Sequence, residues 1–283
     1  MNPIDRYAVL GNPVAHSQSP FIHAAFAQQT GQALAYERVL CALDDFEPTV
    51  RRFAAEGGRG CNVTVPFKFD APRLAARCSD RARLAKAANV LRFDADGWFA
   101  DNTDGVGLLR DIEANAGVLL AGRRVLLLGA GGGGAGVLGP LLQAGPAQLW
   151  VANRSPDKAL ALVARHATLA EVHGVQLGGG GLASPHGAFD VLINATASSL
   201  QGAPVPVAAA HLAPGALAVD LMYGPAAAPF LAWAQAQGAV PRDGLGMLVE
   251  QAAEAFFVWR GVRPSTAPVL QALRARLAGP GAA

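Results

Sequence analysis

The sequence predicts an α/β fold in two domains, and three observations support this. The chain has 283 residues, a length typical of two domains. Hydrophobic residues make up 52% and charged residues 16%, so the chain can bury a large core and lacks the composition of a disordered protein. Short apolar runs alternate with segments of helical periodicity, which is the pattern of sheets covered by helices.

The first hundred residues alternate strands with helices. Ser19 and Pro20 are suited to the start of a helix, as N-cap and first-turn residue, and Gly31 is suited to its end. A second helix ends at two glycines, and Pro66 ends the third strand. We predict strands at 6–10, 33–40 and 61–65, and helices at 19–30 and 44–56.

A second α/β unit is predicted from residue 104 onward. A continuous apolar strand ends at Gly129, and a helix with one apolar face begins at Gly244. The glycine run at 178–181 is expected to be a surface loop. Strands are predicted at 123–128, 148–152, 190–194 and 216–220.

Charge and cysteine usage narrow the function classes. The formal net charge is +2 and the basic residues are scattered, so we expect no nucleic-acid interface. Three cysteines without C-x-x-C spacing suit a reducing cytoplasm better than a disulfide scaffold. The uncharged stretch 125–153 is long enough to span a bilayer, but its eight glycines and two prolines make a membrane helix a poor interpretation. The six histidines show no ligand spacing, so no metal is predicted.

The glycine run at 129–136 follows a buried strand and opens a helix. Glycines allow a tight turn and close approach of the backbone to a pyrophosphate, which then faces free N–H groups at the helix start. The next strand lies about twenty residues further on, as a Rossmann-type dinucleotide-binding unit requires. The alternative is a plain glycine-rich loop in a glycine-rich chain.

The end of that next strand carries Asn153 and Arg154. Units that bind NAD normally place an acidic residue here to accept from the ribose 2′-hydroxyl, whereas a guanidinium suits the 2′-phosphate of NADP. NADP is therefore the predicted cofactor, with an ordinary surface arginine as the alternative.

Three further motifs contain candidate polar residues. Lys68 ends the run 62–68, just past a strand, where most lysines are solvated. Asp104 belongs to the run 101–105, which also reads as an ordinary turn. Ser17 and Ser19 stand two residues apart at a helix start and can both point at an anion, although Ser19 alone could simply cap the helix.

Taken together, these motifs resemble the shikimate dehydrogenase family. They occur in the family's order between residues 8 and about 260, which makes the resemblance specific. The matching segments are 11–13, 16–20, 62–68, 101–105, the glycine run, 153–155, 193–196, 243–248 and Gln251.

The resemblance implies an N-terminal α/β substrate-binding and catalytic domain (1–103 with 244–283) and a Rossmann-type, doubly wound NADP-binding domain (104–243), with the active site in the cleft between. It also implies the reaction, the reversible reduction of 3-dehydroshikimate to shikimate by NADPH in aromatic amino acid biosynthesis. The partner would be this small molecule, with no nucleic acid or membrane, in a monomer or homodimer.

The resemblance also assigns single residues. Lys68 matches the catalytic lysine and Asp104 its partner, while Ser17 and Ser19 match the pair that binds the substrate carboxylate. Other substrate contacts would be Thr64, Asn89, Tyr223 and Gln251. The cofactor would be held by Gly129, Ala130, Gly131, Gly132, Gly133, Asn153, Arg154, Ser155, Lys158, Thr196, Met222, Gly244 and Met247.

The chain departs from the family pattern at two places. Gly134 and Ala135 stand where many relatives have a Ser-Arg pair, so one cation near the cofactor is missing. Ala228 stands where threonine is usual before Pro-Phe.

Two alternatives remain. A quinate/shikimate dehydrogenase of the same fold would use NAD and often carries an acidic residue at the strand end, against which Asn153 and Arg154 argue. A non-catalytic metabolite sensor need not keep both Lys68 and Asp104 and would usually carry an added domain, for which this chain has no spare length.

Overall fold

The computed structural model describes residues 4–196 and 207–278. Two compact units are present, one formed by Met1–Gly107 with Val249–Ala283 and the other by Leu108–Leu248. Each unit contains a six-stranded sheet accompanied by helices, which confirms the predicted α/β class.

The helices and strands follow one another closely along the chain. In chain order the elements are β1 (Asp5–Gly11), α1 (Ser19–Thr30), β2 (Leu34–Leu40), α2 (Phe46–Ala55), β3 (Gly58–Val63), β4 (Arg77–Cys78), α3 (Asp80–Ala85), β5 (Val90–Arg92), β6 (Phe99–Asp101), α4 (Asp104–Arg110), β7 (Arg124–Leu128), α5 (Gly132–Gln143), β8 (Gln148–Ala152), α6 (Pro156–Val172), β9 (Gln176–Gly180), β10 (Phe189–Asn194), β11 (Leu212–Asp220), α7 (Ala228–Ala236), β12 (Val240–Arg242), α8 (Leu245–Arg260) and α9 (Ala267–Ala278). Helix α4 continues as a π-helical turn over Asp111–Asn115.

The first unit has a mixed sheet in the order β2-β1-β3-β5-β6-β4. Strand β1 pairs in parallel with β2 and β3, whereas β5 pairs antiparallel with β3 and β6. Side chains alternate along β1, because successive residues of a strand point to opposite faces. Ala8 and Leu10 belong to a cluster with Phe46 and Phe53 of α2, whereas Tyr7 stacks on Trp259 of α8. Both faces of the sheet are therefore apolar and covered by helices.

The second unit has a parallel sheet in the order β12-β11-β10-β7-β8-β9. The chain runs outward from β7 to β9, returns to the other side of β7 at β10, and runs outward again to β12. This is the Rossmann order, and such sheets bind ligands at the carboxyl ends of the strands beside the point of reversal. The doubly wound fold predicted for this part of the chain is confirmed.

One predicted loop is wrong. Residues 176–180 form strand β9, which pairs in parallel with β8 so that Gly178 lies opposite Trp150. A Cβ atom at Gly178 would meet the Trp150 indole at 2.6 Å. The indole therefore occupies the space where a side chain on β9 would stand, and glycine here serves close packing within a sheet rather than a turn.

Candidate active site

Two loops of the first unit run side by side where β1 and β3 end. The Thr64 N–H donates to the Leu10 carbonyl (2.9 Å), and the Asn12 N–H donates to the Val65 carbonyl (3.0 Å). A Cβ atom at Gly11 would meet Cγ2 of Thr64 at 2.3 Å. Glycine at position 11 thus lets the loop that carries the serines approach the loop that leads to Lys68.

The serine pair lies at the N-terminus of α1. The Ser17 hydroxyl donates to the Ser19 hydroxyl (3.1 Å), and the Ser19 N–H donates to the Ser17 hydroxyl (3.3 Å). The prediction that Ser19 caps this helix is wrong, because Ser19 is its first residue and Gln18 stands at the cap position without a side-chain bond. Arg38 donates from Nε and Nη2 to the Ser17 carbonyl (2.9 and 2.6 Å). A cation beside two hydroxyls at a helix start is suited to an anion.

Lys68 and Asp104 form an ion pair. Lys68 follows Pro66 in a short 3₁₀ helix, and Asp104 is the first residue of α4. Lys68 Nζ lies 2.5 Å from Asp104 Oδ2, and the side chains are 15% and 5% exposed. Such low exposure limits screening by water, so this pair differs from an ordinary surface ion pair.

Asn89 organises the polar groups around this pair. Its Nδ2 lies 2.9 Å from Asp104 Oδ1, 2.9 Å from the Thr103 hydroxyl and 3.1 Å from Gln251 Oε1, and its Oδ1 accepts from the Thr103 N–H (2.8 Å). Each Asp104 oxygen therefore has its own partner, Lys68 on one side and Asn89 on the other. Lys68, Asn89, Asp104 and Gln251, all predicted from the sequence, meet in one buried cluster.

Two residues of this cluster and its surroundings, Thr103 and Asn62, were not predicted from the sequence. The Thr103 hydroxyl accepts from Asn89 Nδ2, so Thr103 belongs to the cluster. Its position directly before Asp104 in the run 101–105 was the feature of the sequence that could have indicated it. Asn62 accepts from the Tyr36 hydroxyl (2.7 Å) and donates to the Asn89 carbonyl (3.0 Å), which links β3 to the cluster. The run 62–68 contained Asn62, but nothing in its spacing indicated those partners.

A buried histidine lies one helical turn after Ser19. His23 is fully buried, and its ring stacks on Tyr36 at 4.3 Å between centroids. Burial disfavours the charged imidazolium and lowers the pKa of His23 to about 3. The interior side of α1 is therefore uncharged at neutral pH.

In the second unit, the glycine turn follows β7. Gly129 has φ +103°, and a Cβ atom there would meet the Ala195 carbonyl at 2.9 Å, so only glycine fits. A Cβ atom at Gly131 would meet nothing within 4 Å, which leaves open space at the start of α5. At Gly134, a Cβ atom would meet the Gly129 carbonyl oxygen at 2.0 Å, so α5 packs directly onto the turn.

The end of β8 is tied to this turn by Asn153. Its Oδ1 accepts from the Ala130 N–H (3.1 Å), and its Nδ2 donates to the Ser155 carbonyl (3.0 Å). Arg154 is exposed, and the described residues provide its guanidinium with no hydrogen bond or ion pair. Ser155 stands at the cap position of α6, although its side chain makes no capping bond, and Lys158 lies exposed in the first turn.

The remaining predicted cofactor residues follow other strands of the same sheet. The Thr196 hydroxyl donates to Asn194 Oδ1 (2.7 Å) after β10, the Met222 N–H donates to Asp220 Oδ1 (2.9 Å) after β11, and the Gly244 N–H donates to the Met222 carbonyl (2.8 Å) after β12. Met247 is buried on α8, and Tyr223 follows Met222 in this second unit. The carboxyl edge of the parallel sheet thus carries the glycine turn, Asn153, Thr196, Met222 and Gly244.

Two kinds of feature are absent from residues 4–196 and 207–278. These residues contain no group of three or more His, Cys, Asp or Glu side chains that could hold a metal ion. They also contain no helix that is both long enough and apolar enough to cross a bilayer.

A Rossmann unit with a glycine turn after its first strand, together with a unit that carries a buried Lys–Asp pair, is typical of nicotinamide-dependent oxidoreductases. Three family models match the chain: the shikimate dehydrogenase substrate-binding domain over residues 9–91, shikimate/quinate 5-dehydrogenase over 112–203, and the shikimate 5′-dehydrogenase C-terminal domain over 244–274.

Individual relatives agree with the family models. The shikimate dehydrogenase (NADP(+)) of Methylibium petroleiphilum is 62% identical over 97% of this chain and 96% of its own. A solved enzyme of Pseudomonas putida is 50% identical, with TM-score 0.85 over 95% of this chain and 98% of its own. The Thermus thermophilus shikimate 5-dehydrogenase, solved with NADP(H) and shikimate, is 33% identical, with TM-score 0.82 over 96% and 99%. The chain therefore belongs to the shikimate dehydrogenase family, and the resemblance found in its motifs is confirmed.

Proposed function

We propose that the protein is an NADP-dependent shikimate dehydrogenase that reversibly reduces 3-dehydroshikimate to shikimate. The observation that carries this proposal is the buried pair of Lys68 and Asp104, in which Asn89 holds the second carboxylate oxygen. Relatives about 60% identical over nearly the whole chain have the same activity in their names. The reaction belongs to aromatic amino acid biosynthesis.

The second unit fits NADP by its own features. Gly131 leaves open space at the start of α5, where the first N–H groups of a helix lack internal partners and suit a pyrophosphate. Arg154 offers an exposed guanidinium at the end of β8, which suits the 2′-phosphate of NADP. NAD-binding units place an acidic side chain at the same position, and that side chain would repel a 2′-phosphate. When bound, NADPH supplies the hydride that a ketone needs to become an alcohol.

Lys68 is the proposed proton donor. Negative charge develops on the ketone oxygen as its carbon is reduced, and an ammonium beside that oxygen stabilises this charge and delivers a proton. The proton adds to oxygen, the C=O bond becomes a C–OH single bond, and Lys68 regains a proton from solvent. In the reverse direction Lys68 takes the hydroxyl proton. Asp104 orients the ammonium through Oδ2, and Asn89 fixes Asp104 through Oδ1.

The remaining groups of the first unit are proposed to bind the substrate away from the reacting carbon. Ser17 and Ser19 would hold the carboxylate, with Arg38 supplying positive charge beside them. Thr64 and Gln251 would contact ring hydroxyls, as would Asn89. Tyr223 stays a prediction from the family resemblance. We therefore expect the two serines to determine the affinity for the substrate, and Lys68 to determine the rate of the chemical step.

The direct test is a crossed assay on the purified full-length protein. Shikimate with NADP should produce the NADPH absorbance band at a rate proportional to enzyme concentration. Quinate with NADP and shikimate with NAD serve as crossed controls and should give much lower kcat/KM. A preference for quinate with NAD would instead support the quinate/shikimate dehydrogenase alternative, and absence of turnover with every pair would support the metabolite sensor.

We further propose a cytoplasmic protein that is a monomer or a homodimer. The three cysteines are free thiols, two of them buried, which suits a reducing compartment.

A further inference from the structure

A second polar cluster connects the segments that carry the proposed active-site residues. It consists of Asp101 at the end of β6, Arg81 on α3 and Glu254 on α8, and is called here the Arg81 network. Arg81 donates from Nε to Asp101 Oδ1 (2.7 Å) and from Nη2 to Asp101 Oδ2 (2.6 Å). The same Nη2 lies 3.1 Å from Glu254 Oε1. Arg81 therefore bridges two carboxylates that are 153 residues apart in the chain.

Each end of the Arg81 network leads to the site through a short run of chain. Asp101 Oδ1 also accepts from the Asn102 N–H (2.7 Å), and Asn102 Oδ1 accepts from the Asp104 N–H (3.2 Å). Glu254 follows Gln251 by three residues on α8, which is about one helical turn. Arg81 thus joins the segment that begins with Asp101 and ends at Asp104 to the helix that carries Gln251.

The Arg81 network is charged and mostly buried. The side chains of Asp101, Arg81 and Glu254 are 4%, 25% and 10% exposed. Burial raises the pKa of Glu254, but the hydrogen bond from Arg263 and the charges of Arg81 and Arg263 offset this, so its pKa lies below the usual value. Moving charges out of water costs free energy that the ion pairs only partly return, so stability alone gives little reason to keep them. A fixed relative position of the segments that carry these charges is a better reason for their presence.

We propose that Arg81 is a positioning residue, which through Asp101 and Glu254 fixes the spacing between Asp104 and Gln251. The inference rests on the proposed function, because those two residues are proposed to bind the substrate. Arg81 itself is assigned no contact with substrate or cofactor. A planar guanidinium that makes a two-bonded contact to one carboxylate and also reaches a second is suited to this role, and a lysine ammonium cannot reproduce that geometry.

The principal test is Arg81→Lys in the full-length enzyme. This variant keeps the positive charge between two buried carboxylates, so it should fold, but it loses the paired bonds to Asp101. A misplacement of about 1 Å at an active site can cost on the order of 100-fold in rate, so kcat/KM for shikimate should fall about 10- to 100-fold, with kcat lower and KM for shikimate higher. The KM for NADP should stay within about twofold of wild type.

Arg77→Lys is the matched control. Arg77 makes similar contacts to Asp94 and Asp96 in the same unit, but its side chain is 50% exposed and joins no segment that carries Asp104 or Gln251. It should leave every kinetic constant near wild type. Glu254→Gln is a second variant that keeps an acceptor for Arg81 and should change the KM for shikimate in the same direction by a smaller factor.

A purely structural role predicts a different result. Arg81→Lys would then lower the melting temperature and the yield of active enzyme, but kcat per active site and KM for shikimate would remain those of wild type, and this outcome would overturn the proposal. An equal rise in the KM for both shikimate and NADP would also overturn it, because the effect would not be local.

Wild-type turnover separates this inference from the proposed function. If wild type shows no activity with shikimate and NADP, the proposed function fails while the positioning claim can still be tested by NMR. The side-chain amide signals of Asn89 and Gln251 should shift or broaden in Arg81→Lys and stay unchanged in Arg77→Lys. Unchanged signals in both variants would contradict the positioning role.

Discussion

The choice of NADP over NAD is expected to depend on Arg154. Asn153 is engaged on both sides, since it accepts from Ala130 and donates to the Ser155 carbonyl, and it cannot also turn toward a phosphate without breaking those bonds. Arg154, the next residue, is exposed and has no partner in the described part of the chain. Its guanidinium is therefore available to a 2′-phosphate, whereas NAD offers it no such group.

The size of the effect follows from one charged hydrogen-bonding contact. Such contacts contribute about 1.5–3 kcal/mol, which corresponds to about 10- to 150-fold in affinity. Arg154→Ala should therefore raise the KM for NADP by that factor and leave the KM for NAD nearly unchanged. Lys158 keeps some positive charge in the first turn of α6, and Asp157 partly opposes it, so we expect the lower half of that range.

The assay measures initial rates with each cofactor at saturating shikimate. Arg123→Ala is the matched control, because Arg123 is also exposed but precedes β7, at the opposite end of the parallel strands. It should change neither KM. If Arg154→Ala weakens NADP and NAD equally, or if wild type prefers NAD, the assignment of Arg154 to the 2′-phosphate is refuted.

Three further predictions concern substrate affinity, acid stability and a buried ion pair. The double variant Ser17→Ala/Ser19→Ala should raise the KM for shikimate by at least about 10-fold, because each hydrogen bond to a charged group contributes about 1.5–3 kcal/mol. The value of kcat should change much less. An unchanged KM would show that these hydroxyls do not bind substrate. The folded-state pKa of His23 is about 3 against an ordinary 6.5, so protons favour the unfolded chain and stability falls as pH drops from 6.5 toward 3. One pKa unit corresponds to about 1.4 kcal/mol. Between pH 7 and pH 5, the free energy of unfolding measured in urea should therefore fall by about 2 kcal/mol less in His23→Phe than in wild type. Equal losses would contradict the lowered pKa of His23. Asp111 is fully buried and takes two bonds from Arg242, at 2.7 and 2.5 Å, so Arg242→Met should lower the free energy of unfolding by about 3–5 kcal/mol; a loss below about 1 kcal/mol would show that Asp111 finds other compensation.

Local signals predicted much of the second unit. The apolar run at 148–152 agrees with the bounds of β8, because both of its ends are marked by polar residues or turns. The glycine turn was predictable since a backbone that needs positive φ at Gly129 demands a residue without a Cβ atom. The same rule failed at Gly178, where the cause of glycine is the Trp150 indole on the neighbouring strand. Only the fold reveals such a contact.

The candidate site shows the same limit. Lys68, Asp104 and the serine pair stand in short runs that carry their own pattern, so the sequence indicated them as candidates. Arg81 and Glu254 stand in no such run, and the bond between them spans 173 positions of the chain. Their pairing depends on how α3 and α8 pack, which periodicity and local propensity do not encode. Residues proposed to contact substrate are thus easier to predict than residues proposed to position them.

The kinetics of Lys68→Ala test the central claim most directly. Lys68 is proposed to act as negative charge develops on the ketone oxygen, so its loss should affect the chemical step more than substrate binding. With shikimate and NADP, kcat should fall by about 10²–10⁴-fold while the KM values change far less and the variant keeps the melting temperature of a folded protein. A kcat within a few-fold of wild type would contradict the account, because another group would then have to move the proton.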